Sequence, residues 1–234
     1  MIITRMAHHF PDAVFFAETV HRQVALTIDD APTQTVDGAS TCDILGAIAH
    51  HNQTVPDGDR VQATFFVLGQ HLEAQPHLLA ELLAQGHEIG NHGWSDLKDV
   101  RLSAPRFAQR LQQTHQRILQ HVSTPLRWYR PSYGVYRPSM VRALWQMPGY
   151  HPQFVLASML PLDVRRMTQH PRFTAAYLAR CAFPGAILLL HDGTSDRARH
   201  TAQTLRLLLP ALHQQGYRIT TLSALMFPVR HNPG

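Results

Sequence analysis

The chain has 234 residues, of which 44% are hydrophobic and 16% charged, with a formal net charge of +5 at pH 7. This length fits a single α/β barrel, and the composition predicts a sizeable buried core rather than a disordered chain. The positive charge comes from scattered arginines, with Lys98 the only lysine, which argues against a dedicated nucleic-acid surface.

Short apolar, β-branched runs alternate along the chain with longer segments of helical spacing, as expected when crossover helices join parallel strands. In chain order the predicted strands are residues 24–28, 63–68, 87–90, 127–129, 154–158, 186–190 and 218–222. The predicted helices lie near residues 41–51, 76–85, 105–121, 138–146, 174–181 and 200–215. The pattern predicts one α/β domain over residues 1–234, as either an open sheet or a closed barrel.

Glycine and proline punctuate these elements. Gly86 and Gly216 stand where helices need a C-cap, while Pro105 and Pro138 fit the first turns of helices. The polar, turn-rich segment 52–60 is predicted to be a surface loop.

Cys42 and Cys181, the only cysteines, lie far apart and are predicted to be ordinary core residues. His8, His9, His50 and His51 are predicted to lie on the surface.

No apolar run has the length of a signal peptide or a membrane span, which predicts a soluble cytoplasmic protein without a membrane span. An extracytoplasmic location is the alternative if a leader was removed.

Ionisable residues follow most of the predicted strands. Because the carboxyl ends of parallel strands open onto one face of a barrel, these side chains are expected to converge on one cleft. They are Asp29, Asp30, His92, Arg130, Asp163, His191 and Asp192.

Asp29 and Asp30 are adjacent at the end of an apolar strand, where two carboxylates repel each other unless a cation offsets them. Either one alone could instead cap the next turn. His92 and Asp96 are four residues apart, so on a helical turn they would face one ion together. With Asp30 they make three ligands, which leaves a position for water on a catalytic ion.

Arg130 precedes a tight turn and is predicted to hold an ionised Asp29, while a backbone N–H in that turn faces a developing oxyanion. A surface arginine is the alternative. His191 emerges from an apolar strand and suits the protonation of a leaving amine, with Asp163 orienting it. A structural histidine is the alternative there.

These segments, taken in order, resemble the five motifs of polysaccharide deacetylases, the carbohydrate esterase group that includes chitin and peptidoglycan deacetylases and the nodulation deacetylase. The resemblance covers roughly residues 24–225 and rests on order and spacing together. The matching segments are Leu26-Thr27-Ile28-Asp29-Asp30-Ala31-Pro32, Asn91-His92 with Asp96, Arg130-Pro131-Ser132-Tyr133-Gly134, Asp163, and Leu189-Leu190-His191-Asp192.

The resemblance implies a distorted (β/α) barrel with about seven parallel strands. It also implies a divalent metal, zinc or alternatively cobalt, nickel or manganese, held by Asp30, His92 and the residue at position 96.

The resemblance further implies the catalytic roles. Asp29 would be the general base with Arg130 as its partner, and His191 would be the general acid tuned by Asp163. The backbone N–H of Tyr133 would help to bind the oxyanion.

The chain departs from the family pattern at three positions. Asp96 stands where the family usually has a second histidine, Ala31 where it has glycine, and Val164 where it has tryptophan. An Asp-His-Asp ligand set is harder and more anionic, so it is expected to bind zinc less tightly relative to other divalent ions.

Three functions follow as hypotheses. The first is a metal-dependent hydrolase that removes acetyl groups from an N-acetylated or O-acetylated carbohydrate. The second is a hydrolase of small non-sugar amides on the same fold, motivated by the missing export signal and by Val164. The third is a non-catalytic carbohydrate-binding homologue, motivated by the histidine lost at position 96.

Overall fold

A computed structural model of the chain describes residues 7–34, 39–73, 75, 77–159 and 170–228. The strands are β1 (Ala13–Val14), β2 (Gln23–Ala31), β3 (Ala63–Val67), β4 (Glu88–Asn91), β5 (Phe154–Val155), β6 (Ile187–His191) and β7 (Arg218–Thr220). The helices are α1 (Thr41–Asn52), α2 (His77–Ala84), α3 (Ala104–Leu119), α4 (Pro138–Trp145), α5 (Pro171–Cys181), α6 (Ser195–Gln214) and α7 (Leu222–Met226).

Five parallel strands form the main sheet, in the order β4-β3-β2-β6, with β7 paired to the first residues of β2. The register aligns the carboxyl ends of the strands. Asp29 in β2 lies opposite His191 in β6, and Val67 in β3 lies opposite Asn91 in β4. Residues at these ends therefore share one edge of the sheet, as expected for parallel strands.

The remaining strands do not join this sheet in one ladder. β1 and β5 form a separate parallel pair, and Tyr129 makes a single bridge with Asn91. The backbone N–H groups of Val155 and Ser158 donate to the carbonyl oxygens of Tyr129 and Ile187. The predicted α/β class with parallel strands is confirmed, although hydrogen bonds among the described residues do not close the strands into a barrel.

The predicted strand at residues 127–129 is wrong, because only Tyr129 makes a bridge there. The backbone of this segment divides its hydrogen bonds between two neighbours: the Trp128 carbonyl accepts from Asn91 and the Arg127 carbonyl accepts from His151. Pro131 lacks an N–H and follows soon after, so pairing cannot extend.

Other boundaries shift for local reasons. The helix predicted from residue 200 begins at Ser195, because the Thr194 side chain accepts from the Arg197 N–H and caps it. The last strand ends at Thr220, since Thr221 caps α7 in the same way. The strand predicted at 154–158 shortens to Phe154–Val155.

The glycines and prolines at the helix ends lie where they were predicted. Gly86 and Gly216 have φ angles of 79° and 76°, the left-handed conformation of a helix C-cap. Pro105 and Pro138 lie in the first turns of α3 and α4. Most of the segment 52–60 is exposed, as predicted for a surface loop.

The core lies between the sheet and helices α1 and α6. Leu26, Ile28 and Phe65 of the sheet are fully buried, as are Leu205 and Leu209 of α6. None of the described helices is long and apolar enough to cross a membrane.

The predictions for the cysteines and for one histidine are wrong. Cys42 and Cys181 are exposed, whereas His51 is buried and packs on the ring of His213. The buried face of α1 explains Cys42 and His51, because its members recur at helical spacing and end on His51 while leaving Cys42 on the solvent side. They are Thr41, Ile44, Leu45, Ala47, Ile48 and His51.

Candidate active site

Asp29 and Asp30 are buried near the carboxyl end of β2. Asp30 has a φ of 65°, which is uncommon for a residue with a side chain. Gly193, just after β6, makes room for it, because a Cβ at Gly193 would lie 2.9 Å from the Asp30 Cβ. The close approach of these two strand ends therefore needs glycine at position 193.

Arg130 is buried and holds Asp29. Its Nη1 lies 2.6 Å from Asp29 Oδ1 and 2.8 Å from the Thr27 hydroxyl, while its Nε donates to the Val155 carbonyl. The guanidinium carbon also lies 4.2 Å from the ring centroid of Phe66. Contacts on several sides fix the guanidinium, so Asp29 keeps a charged partner away from solvent.

His92 follows β4 and faces both carboxylates. Its Nδ1–H donates to the Arg130 carbonyl over 2.8 Å, which leaves Nε2 at 3.4 Å from Asp30 Oδ1 and 3.6 Å from Asp29 Oδ2. Burial by itself lowers the pKa of His92, but the charges of Asp29 and Asp30 more than offset burial and raise it to about 9.

Arg197, in the first turn of α6, reaches the other oxygen of Asp30. Its Nη1 lies 2.7 Å from Asp30 Oδ2 and 3.9 Å from Asp96 Oδ2. Burial alone raises the pKa of Asp30, but His92, His191 and Arg197 together lower it to about 2. The carboxylate is therefore ionised at neutral pH.

Asp96 and Tyr133 lie at the outer side of this cluster. Asp96 lies on an irregular loop rather than on the predicted helical turn shared with His92. The charge of Asp96 raises the pKa of Tyr133, whose hydroxyl hydrogen-bonds to that carboxylate. Tyr133 has a φ of 62°, and such strained residues concentrate at functional sites.

His191 ends β6 directly opposite Asp29, and its backbone carbonyl accepts from the Thr201 hydroxyl. The next residue, Asp192, is fully buried and accepts hydrogen bonds from the Thr33 and Thr41 hydroxyls. Burial raises the pKa of Asp192 to about 6. Asp192 thus ties the strand end that carries His191 to the loop after β2.

The predicted residue Asp163 lies outside the described residues, as does Val164. The structure brings together Asp29, Asp30, His92 and Arg130, with His191 beside them and Asp96 linked through Arg197.

Two ligand atoms that each lie about 2.0–2.2 Å from one tetrahedral metal ion are about 3.3–3.6 Å from each other. Asp30 Oδ1 and His92 Nε2, 3.4 Å apart, fit that spacing. Because Nδ1–H donates to the Arg130 carbonyl, Nε2 is the ring nitrogen that an ion would bind, in place of the proton held there by the two carboxylates. Among the residues that the structure describes, however, no three His, Cys, Asp or Glu side chains converge as metal ligands. Asp96 is the predicted ligand that stands apart.

Known proteins share both sequence and fold with this chain. Residues 17–150 match the sequence profile of the family described as polysaccharide deacetylase. This chain is a member of the polysaccharide deacetylase family. It is 28% identical over 208 residues to a peptidoglycan-N-acetylglucosamine deacetylase of Bacillus cereus, covering 87% of each chain. It is 31% identical over 226 residues to a chitooligosaccharide deacetylase of Bradyrhizobium, covering 87% of this chain and 90% of the other.

A solved structure gives the same fold. The chain aligns with a mutant of a CE4 family pseudoenzyme from Bacillus anthracis, described as having restored enzymatic activity, with a TM-score of 0.75 and 25% identity. The alignment covers 92% of this chain and 71% of that one. Because the polysaccharide deacetylase fold also occurs in a protein described as a pseudoenzyme, membership alone does not establish activity.

Two residues that contact Asp30 were not predicted from the sequence. One is Arg197, which lies in a helix start with no motif to mark it. The other is buried His71, whose Nδ1–H donates to the backbone carbonyls of Asp30 and Pro32 over 3.0 and 2.9 Å. His71 lies on a short turn after β3, and only its position beside a strand end could have marked it.

Proposed function

We propose that this chain removes acetyl groups from N-acetylated carbohydrates by metal-dependent hydrolysis. One observation carries the proposal: the Arg130–Asp29 pair and the His92–Asp30 pair are buried side by side at the carboxyl ends of parallel strands. The arrangement supplies a fixed proton acceptor, Asp29, beside two side-chain atoms with the spacing of metal ligands. The names of the relatives, peptidoglycan and chitooligosaccharide deacetylases, support a carbohydrate substrate.

Asp30 and His92 would hold the divalent ion, with Asp96 as the proposed third ligand. Zinc is the first candidate. Cobalt, nickel and manganese are alternatives, because two carboxylates and one imidazole make a hard ligand set that favours zinc less. A divalent ion held there would polarise the acyl carbonyl and make a water molecule more acidic.

The protein's own groups would then move the protons. Asp29, kept ionised by Arg130, takes a proton from the water whose oxygen attacks the acetyl carbon. The backbone N–H of Tyr133 donates to the oxygen that becomes negative. His191 gives a proton to the nitrogen as the C–N bond breaks, so that acetate and a free amine leave. Asp163 is the proposed partner that tunes His191.

A non-catalytic carbohydrate-binding role is the second candidate. The ion pair between Arg197 and Asp30 favours it, because that contact occupies an oxygen of a proposed metal ligand. The Asp29–Arg130 pair favours catalysis instead. A protein that only binds sugar has no need for a buried carboxylate held by a buried arginine, an arrangement that is costly in desolvation.

Acetate release from metal-stripped and metal-reconstituted protein tests the proposal. Purified protein is treated with a chelator, dialysed, and supplied with zinc, cobalt, nickel or manganese. It is then offered N-acetylated chito-oligosaccharides, peptidoglycan fragments and small acetamides. We expect acetate from a carbohydrate only after metal is restored. Full activity in the stripped protein, or none with any metal and any substrate, would contradict the proposal.

A further inference from the structure

Arg197 is a cation already present where the proposed metal site needs one. Asp30 is buried, with one oxygen facing His92 and the other bonded to Arg197 Nη1 at 2.7 Å. The same nitrogen lies 3.9 Å from Asp96. One guanidinium nitrogen therefore lies within ion-pair distance of two of the three proposed ligands.

A divalent ion shared by Asp30 and Asp96 would have to lie within about 2.2 Å of an oxygen from each. The guanidinium of Arg197 lies on that side of Asp30, and two positive groups so close repel each other strongly in a poorly solvated site. Arg197 and a three-ligand metal ion thus compete for the same carboxylates.

We infer that Arg197 is an internal counter-cation that neutralises Asp30 and Asp96 and must move away before a divalent ion binds all three ligands. This inference deepens the proposed function and rests on it. Arg197 thereby sets the metal affinity of the site, and it accounts for the position of Asp96 away from His92 and Asp30.

The position of Arg197 in the fold permits such a movement. It lies in the first turn of α6, and its side chain is 35% exposed, whereas that of Asp30 is 5% exposed. The long side chain can therefore rotate into solvent while the carboxylate stays in place. Asp96, 39% exposed on an irregular loop, is free of helical constraint and can follow the ion.

Isothermal titration of metal-free protein with Co²⁺ and Zn²⁺ tests the inference. Arg197→Gln is expected to tighten divalent binding by about tenfold or more, because a competing positive charge is removed. Arg199→Gln is the matched control, since Arg199 lies two residues further along α6 and pairs with the exposed Asp196. The control is expected to bind metal like the wild type.

Thermal unfolding supplies a second readout that does not depend on activity. In chelator, Arg197→Gln is expected to melt at a lower temperature than the wild type, because Asp30 loses its ion-pair partner. If Arg197 only stabilised the fold, the substitution would also weaken metal binding instead of tightening it. Equal or weaker metal binding by Arg197→Gln overturns the inference and leaves the proposed function standing. Absence of binding in both proteins overturns the metal-dependent function, and the inference with it.

Discussion

At the scale of single residues, the site depends on a buried ion pair whose partners come from distant parts of the chain. Asp29 is 4% and Arg130 2% exposed, so neither charge is stabilised by bulk water. Removing one partner of such a pair leaves the other uncompensated, which costs far more than losing a surface pair.

Arg130→Met is therefore expected to lower the free energy of unfolding by about 3–5 kcal/mol, because the charge of Asp29 stays buried and loses its closest cationic partner. Chemical denaturation measures this loss. Arg199→Met, which breaks the exposed pair with Asp196, is the control and is expected to change stability by less than about 1 kcal/mol. Similar losses in both variants would show that burial does not govern the Arg130 contact.

His87 gives a pH-dependent prediction. It is buried, its Nδ1 accepts from the Ala63 N–H, and burial lowers its pKa to about 4. Between pH 6.5 and 4 the unfolded chain binds a proton that the folded chain does not, so stability falls as the pH falls through that window.

Relative to His87→Gln, which retains an acceptor for Ala63, the wild type is expected to lose up to about 3 kcal/mol between pH 7 and pH 4. Denaturation at several pH values measures the difference between the two proteins. Parallel stability curves would show that His87 is protonated equally in the folded and unfolded states.

The sequence predicted Asp29, Asp30 and His92 as neighbours, and they lie together at the carboxyl ends of β2 and β4. Arg130 also joins them, although the strand predicted before it is only a single bridge at Tyr129. Arg197 could not be predicted in the same way. It lies five positions after Asp192, in the first turn of α6, and from there its side chain reaches Asp30 in β2. Such a contact depends on three-dimensional position and leaves no spacing signal in the chain.

At the scale of elements, the turn just before β6 contacts the segment after β1. Gly185 has a φ of 87°, and its carbonyl accepts from the Ala17 N–H. A Cβ at Gly185 would overlap the backbone carbonyl of Ala17, which is main chain and cannot rotate away.

Gly185→Ala is therefore expected to destabilise the protein by about 3 kcal/mol or more, from both the clash and the left-handed conformation. Gly46→Ala is the matched control. Gly46 lies inside α1 with open space around it, so alanine is expected to stabilise the helix by about 0.5–1 kcal/mol. Chemical denaturation of both variants checks the contrast, and a neutral Gly185→Ala would contradict the close packing.

Long elements were more predictable than short ones. Helix α3 has a clear apolar stripe and a proline in its first turn, and its predicted bounds agree closely with Ala104–Leu119. The two residues of β1 carry no periodicity that could reveal them, because their pairing with β5 is set by tertiary packing. Residues 127–129 resemble a strand in composition but divide their hydrogen bonds between neighbours.

At the scale of the whole molecule, parallel register converts distant sequence positions into one site. Asp29 and His191 are 162 residues apart in the chain, yet they lie opposite each other in adjacent strands. The fold class could be predicted because the alternation of strands and helices is a global pattern. The separation of the strands into two sheets could not, since it depends on individual backbone hydrogen bonds.

The rate of acetate release by Asp29→Asn, with divalent metal and an acetylated chito-oligosaccharide in excess, tests the central claim most directly. Asparagine keeps the shape but cannot accept the proton, so the rate is expected to fall by about 10²–10⁴-fold. Asp196→Asn, at an exposed position, is expected to keep the wild-type rate. An Asp29→Asn variant that is folded and releases acetate as fast as the wild type would contradict the account.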